Sequence, residues 1–165
     1  GLVLLSSRPF DMMSWGFMLT CLLSVVFYQT PVVKKYYVTK NQQTPWTVLV
    51  IDDDKMLLKM IVRYFLPRGV FVLTAETGEK GMALAKSWQP DLILLDVILP
   101  RIKGREVCAR LKEDAATRDI PVIFLTVKGS MDDVLAEMEA GAIAHITKPV
   151  DFVHLYGEVI KVLGD

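Results

Sequence analysis

From residue 47 onward, short continuous apolar runs alternate with longer stretches whose apolar residues return at helical spacing. The run Val48-Leu49-Val50-Ile51 predicts a first strand over about 47–51. Asp54 is placed to cap a helix over about 55–66, in which Leu57, Leu58, Ile61, Val62 and Phe65 share one side, and Pro67-Arg68-Gly69 stops it. A second strand is expected over about 70–75 and a second helix over about 78–88, capped by Thr77. Pro90 leads into a third strand over about 91–95, followed by a helix over about 104–113 carrying Val107, Cys108 and Leu111. The loop Asp114 to Asp119 and Pro121 precede a fourth strand over about 121–125. Ser130, with Asp133 in an acidic form of the capping box, opens a fourth helix that ends near Gly141. A fifth strand over about 143–146 and a last helix over about 151–163, with Phe152, Leu155, Val159, Ile160 and Leu163, complete the pattern.

Five strands alternating with five helices predict an α/β fold with right-handed crossovers and a sheet covered on both faces. The runs at 92–95 and 122–125 are apolar throughout, as strands buried on both faces should be. Ligands of such sheets collect at the carboxyl ends of the strands, near a reversal of strand order. There the runs deliver, in turn, Asp52-Asp53-Asp54, then Asp96, then Thr126, then Thr147-Lys148-Pro149.

A lone Asp after a strand is often a cap or a loop residue, so Asp96 by itself says little. Asp52 and Asp53 change its weight, because adjacent carboxylates resist joint ionisation unless a cation sits among them. Oxygen ligands of this kind suit Mg²⁺, which keeps several waters and shares a phosphoryl oxygen. Lys148 beside these carboxylates could neutralise phosphoryl charge, and the Thr126 hydroxyl could donate to a phosphoryl oxygen. A surface lysine and an ordinary strand threonine are the plainer readings of each alone; the ordered set points to phosphoryl chemistry at one edge of the sheet.

The first 46 residues differ in character. No residue from Met12 to Tyr28 carries a charge, and Lys34, Lys35 and Lys40 follow. As a helix this stretch would be about 25 Å long, slightly short of a hydrocarbon core. Were it a transmembrane helix over about 12–28, the following lysines would place the rest of the chain on the cytoplasmic face. No small-x-small cleavage site follows it, which disfavours a signal peptide. The alternative is that residues 1–37 come from translation upstream of the natural start, since the chain opens on Gly1 and Val38 could serve as a start. Both readings stand, and the polar stretch Thr39 to Thr44, ended by Pro45, is a linker under either. The expected division is therefore 1–46, an N-terminal extension, and 47–165, a single domain.

Composition adds exclusions. Formal net charge is zero, so total charge does not point to nucleic acid or an acidic surface. Cys21 and Cys108 lack metal-ligand spacing and read as unpaired thiols in a reducing compartment, while His145 and His154 lack a zinc pattern. No glycine-rich phosphate loop or internal repeat is present.

The segment over about 47–163 resembles the receiver domain of bacterial two-component response regulators. The resemblance rests on Val50-Ile51-Asp52-Asp53-Asp54, Pro90-Asp91-Leu92-Ile93-Leu94-Leu95-Asp96, Pro100 with Gly104, Ile120 to Thr126, Gly141-Ala142 and Thr147-Lys148-Pro149. It implies a CheY-like, flavodoxin-type sheet of strand order 2-1-3-4-5. It implies that Asp96 accepts a phosphoryl group from a sensor histidine kinase or a histidine phosphotransfer protein. Mg²⁺ would be held by Asp53 and Asp96, by Asp52 directly or through water, and by the main-chain carbonyl of Ile98. Lys148 would pair with the phosphoryl group across a cis bond to Pro149, and Thr126 would move toward it. The aromatic switch residue of the family falls at His145, a smaller ring of a residue type that titrates near neutrality; a plain strand residue without a switching role is the alternative. Val127 stands where the family carries Ala, Gly or Ser and could narrow access to the acceptor; Lys128, the next residue, falls where the hydrolytic water is tuned.

The resemblance implies a cytoplasmic signalling switch rather than an enzyme. A downstream protein would dock on the fourth helix, fifth strand and fifth helix, with no direct contact to nucleic acid, and with a membrane only if residues 12–28 span one. Two alternatives remain at this point. A Mg²⁺-dependent aspartyl-phosphate phosphatase would carry Asp-x-Asp-x-Thr/Val after its first strand, which Asp52-Asp53-Asp54-Lys55-Met56 does not match. A degenerate receiver serving as a constitutive binding module would lack some of the positions that are all present here.

Overall fold

The computed structural model describes residues 46–127 and 138–164. Strand β1 is Thr47–Ile51, buried at every position. Helix α1, Lys55–Phe65, begins where the Asp54 carboxylate accepts the amides of Met56 and Leu57 at 2.8 and 3.2 Å, which satisfies two of the free N–H groups of the first turn. A 3₁₀ turn, Leu66–Arg68, and Gly69 in the left-handed region at φ 82° end it. Strand β2 is Phe71–Ala75 and helix α2 is Gly78–Trp88, with the Thr77 hydroxyl accepting the amide of Lys80. Strand β3, Leu92–Asp96, helix α3, Gly104–Glu113, and strand β4, Val122–Val127, follow. Strand β5 is Ala144–Lys148. The C-terminal helix, Phe152–Gly164, starts where Asp151 accepts the amides of Val153 and His154.

All neighbouring strands pair in parallel, in the order β2-β1-β3-β4-β5. Alternate side chains of each strand therefore reach opposite faces. Val48, Val50, Leu92, Leu94, Ile123 and Leu125 pack with Leu58, Ile61 and Phe65 of α1 and with Leu155 and Val159 of the C-terminal helix. On the other face α2 comes so close that a Cβ on Gly81 would overlap Ile51. Each such fully buried Leu, Ile or Phe contributes roughly 1.5–3 kcal/mol, so the central strands are held firmly and their carboxyl ends form a fixed platform.

Two strands run further than their apolar runs predict. β4 continues through Thr126 and Val127, and β5 through Thr147 and Lys148, because Thr126 pairs with Thr147 and Val127 with Lys148. That extension is set by the partner strand, not by local hydrophobicity. The expected fourth helix, including Ser130, Asp133 and the neighbouring Lys128, lies outside the described residues apart from its helical end at Met138 and Glu139. Gly141, at φ 96°, follows that end, and its amide bonds the carbonyl of Met138 at 3.0 Å. The expectations for residues 1–45, the span at 12–28 among them, also fall outside the described residues. Among the described residues, no helix is long and apolar enough to cross a membrane.

Candidate functional site

The carboxyl edges of β1, β3, β4 and β5 each deliver one of the anticipated groups. Asp52 follows β1 directly, is fully buried, and is fixed by its own amide on the carbonyl of Ala75 and by the Asp54 amide on its Oδ1 at 2.9 Å. This Asx turn leaves the Asp53 side chain exposed at the mouth. Asp96 is the last residue of β3 and is only 5% exposed. Its Oδ1 accepts the Ile98 amide at 3.1 Å and its Oδ2 accepts Lys148 Nζ at 2.8 Å. Lys148 ends β5, and the peptide bond to Pro149 is cis.

Lys148 joins two strands electrically. Its Nζ stands 2.7 Å from Asp52 Oδ2 as well as 2.8 Å from Asp96 Oδ2. The contact with Asp96 is a directed hydrogen bond; that with Asp52 is a close ion pair without hydrogen-bond geometry. Burial pushes the Asp96 carboxyl above its usual range, and the bonds from Lys148 and the Ile98 amide offset this only in part. Burial also acts to depress the Lys148 ammonium, but the two carboxylates outweigh it and hold its pKa above the ordinary lysine value. Asp52, Asp53 and Asp96 can each offer an oxygen such that all three lie within 4.8 Å of one another. One ammonium facing three carboxylates leaves surplus negative charge, and the donors are all hard oxygens, which fits a small divalent cation such as Mg²⁺.

Thr126 lies on β4, one residue beyond Leu125, which pairs with Asp96. It is buried, and its Oγ1 donates to the carbonyl of Val127 at 2.9 Å. Val127 itself is 52% exposed at the end of β4. The Ile98 amide reaches Asp96 while its side chain is 62% exposed. His145 is half-buried on β5 opposite Phe124. The geometry thus brings together Asp52, Asp53, Asp96 and Lys148, with Thr126 on the neighbouring strand end. Two contributions escaped the sequence reading. The Asp54 amide orients Asp52, which the Asx-turn preference of Asp could have signalled. Gly104 was legible as part of the Pro100 and Gly104 pattern, but not its packing against the Asp96 peptide, which depends on where helix α3 sits.

Comparison with known proteins agrees with this arrangement. A family model described as the response regulator receiver domain matches residues 48–160. The chain is 40% identical over 116 residues to the DNA-binding dual master transcriptional regulator RpaA of Synechocystis, covering 70% of this chain and 48% of that protein. It is 42% identical over 103 residues to the phosphate regulon transcriptional regulatory protein PhoB of Pseudomonas aeruginosa, covering 62% of this chain and 45% of that one. Among solved structures, the chemotaxis protein CheY4 of Vibrio cholerae superposes with a TM-score of 0.68 at 25% identity, covering 71% of this chain and 98% of that chain. The chain spans about half the length of the two curated relatives.

Proposed function

The chain belongs to the response regulator receiver domain family, a family of phosphorylation-controlled signalling domains, and from that premise we propose that Asp96 is its phosphoacceptor. One Asp96 carboxylate oxygen attacks the phosphorus of a phosphohistidine on a sensor kinase or histidine phosphotransfer protein. The new O–P bond forms as the N–P bond breaks, and the freed imidazole nitrogen recovers a proton. The observation that carries this reading is the position of Asp96: nearly buried, at a strand end, bonded to Lys148, and within reach of two further carboxylates.

Asp53 and Asp96, with Asp52 directly or through water and the main-chain carbonyl of Ile98, would hold Mg²⁺. When bound, the ion supplies charge neutralisation for the transferring phosphoryl oxygens. Lys148 balances the remaining charge, and its tie to Asp52 keeps the ammonium over the acceptor. Phosphorylation adds roughly 1.5 to 2 negative charges and new acceptor oxygens. The Thr126 hydroxyl then exchanges its bond to the Val127 carbonyl for a phosphoryl oxygen, and His145 follows into the space released. That change is read by a downstream protein on the face formed by the fourth helix, β5 and the C-terminal helix. Val127, at the end of β4, and Lys128, the next residue in the sequence, tune the approach of small donors and water. We place the domain, residues 47–165, in the cytoplasm as a switch rather than a turnover enzyme; residues 1–46 form an extension that tethers it to the inner membrane face if residues 12–28 span the bilayer.

The test is labelling from a phosphorylated histidine kinase with Mg²⁺. The parent protein should acquire a hydroxylamine-labile and base-labile acyl phosphate, and Asp96→Asn should acquire none. Undiminished labelling of Asp96→Asn would sink the assignment.

A further inference from the structure

Helix α3 meets the acceptor strand through a residue without a side chain. Gly104 is the first residue of α3, and its amide bonds the carbonyl of Val97 at 2.9 Å. A Cβ placed on it would overlap the carbonyl oxygen of Asp96 and stand 2.9 Å from both the Asp96 carbonyl carbon and Val97 Cα. The obstacle is backbone, which cannot rotate out of the way as a side chain can. Lys103 provides no side-chain cap for this helix, so the helix start is seated on the peptide that joins Asp96 to Val97.

We infer that Gly104 is a positioning residue: by lacking a side chain, it lets helix α3 seat directly on the Asp96–Val97 peptide and so sets where the Asp96 carboxylate stands relative to Asp52, Asp53 and Lys148. The inference rests on the reading of Asp96 as acceptor for its functional meaning, although the geometry it predicts is independent of that reading. The Asp96 carboxylate is held at two points, the Ile98 amide at 3.1 Å and Lys148 Nζ at 2.8 Å. A peptide pushed aside by about 1 Å changes both, and a misplacement of that size costs about 10²-fold in a reaction that depends on alignment.

Gly78 supplies the control. A Cβ there would overlap a Val107 methyl group and approach Ile102 Cγ2 to 2.7 Å, both side-chain atoms that can turn, and it touches nothing of Asp96. Gly104→Ala and Gly78→Ala therefore insult the same helical layer, but one of them alone reaches the acceptor peptide.

The experiment follows backbone amide resonances of the full chain. In metal-free protein, the Ile98 amide reports its bond to Asp96 Oδ1; in a Mg²⁺ titration, the amides of Asp52, Asp53 and Asp96 report affinity. Gly104→Ala should move the Ile98 resonance, weaken Mg²⁺ binding about tenfold or more and slow phosphoryl uptake from a small phosphoramidate donor about 10²-fold, while the resonances of the sheet core stay dispersed. Gly78→Ala should lose stability yet bind Mg²⁺ within about twofold of the parent, well under the 1.4 kcal/mol of a tenfold change. An unmoved Ile98 amide with unchanged Mg²⁺ affinity in Gly104→Ala, or an equal loss of affinity in both variants, overturns the inference. Should Gly104→Ala not fold, the same pair is compared in a Thr47→Val, Gly157→Ala background. A parent that binds Mg²⁺ but takes up no phosphoryl group would reject the proposed function and leave the role of Gly104 to be decided by the resonances.

Discussion

Lys148 and Asp96, on strands separated by β4, meet at 2.8 Å, and the same ammonium stands 2.7 Å from the fully buried Asp52. Removing the ammonium leaves two buried carboxylates facing each other. Lys148→Met should therefore cost on the order of 3 kcal/mol of stability at neutral pH, as expected for breaking a buried pair. Because the native lysine pKa is raised, its contribution is complete below the ordinary value of 10.5 and is lost as pH climbs through the higher native value. Millimolar Mg²⁺ should restore more stability to Lys148→Met than to the parent. Urea titrations with and without the ion measure both effects, and equal Mg²⁺ responses would contradict the account.

Asp96 carries the opposite linkage from a typical paired carboxylate. Its native pKa lies above the unfolded value of 3.8, chiefly through burial, so the native state binds the proton more tightly. Its contribution to stability is present below pH 3.8 and is lost as pH rises through the native value. Asp96→Asn should accordingly unfold at higher urea concentration than the parent at pH 7, and the gap should narrow as the solution is acidified through the native Asp96 pKa. A gap that stays constant between pH 7 and 4 would show that ionisation of Asp96 is not the cause.

Thr47 places a hydroxyl where it is not needed. Its Oγ1 is buried with no hydrogen-bond partner among the described residues, while its amide is held by Asp91 Oδ2 at 2.7 Å. Valine has nearly the same shape and a strong strand preference. Thr47→Val should stabilise the domain by about 1–2 kcal/mol, the desolvation penalty of an unpaired buried polar group. Thermal denaturation of the two proteins decides; a loss of stability would mean that the hydroxyl has a partner after all.

Gly157 lies inside the C-terminal helix, exposed, with open space where a Cβ would project. Alanine there restricts the unfolded chain without a clash, so Gly157→Ala should add about 0.5–1 kcal/mol. A neutral or negative result would place a constraint on that surface that the packing does not reveal.

How far the chain announces all this depends on how local each cause is. The caps at Asp54 and Thr77 and the buried strands at Val48–Ile51 and Leu92–Leu95 follow from spacing and propensity within a dozen residues, and they stand as read. The strand order was legible through the family pattern, not through periodicity, and the roles proposed for Asp52, Asp53, Asp96, Thr126 and Lys148 come from that same pattern. What stayed hidden is set by tertiary neighbours. The extension of β5 to Lys148 needs β4 beside it, the bridging of Asp52 by Lys148 needs the three-dimensional order of strands, and the contact of Gly104 with the Asp96 carbonyl needs α3 seated on β3.

Val127 offers a kinetic test that stability does not confound. It ends β4 next to Thr126, pairs with Lys148, and exposes about half its surface, 52%, at the edge that carries Asp96. Truncating so exposed a side chain should change stability by less than about 0.5 kcal/mol. If its branched methyl groups obstruct the line of approach to the acceptor, both phosphorylation by a small phosphoramidate and hydrolysis of the acyl phosphate should accelerate in Val127→Ala. A rise of about threefold corresponds to about 0.7 kcal/mol of barrier, a reasonable share for one partly obstructing group. Transfer from a kinase histidine should respond less, because contacts across a docked protein surface fix that donor in place. Finding the small-donor and hydrolysis rates both unchanged would remove Val127 from the site and leave access to Asp96 under the control of other residues.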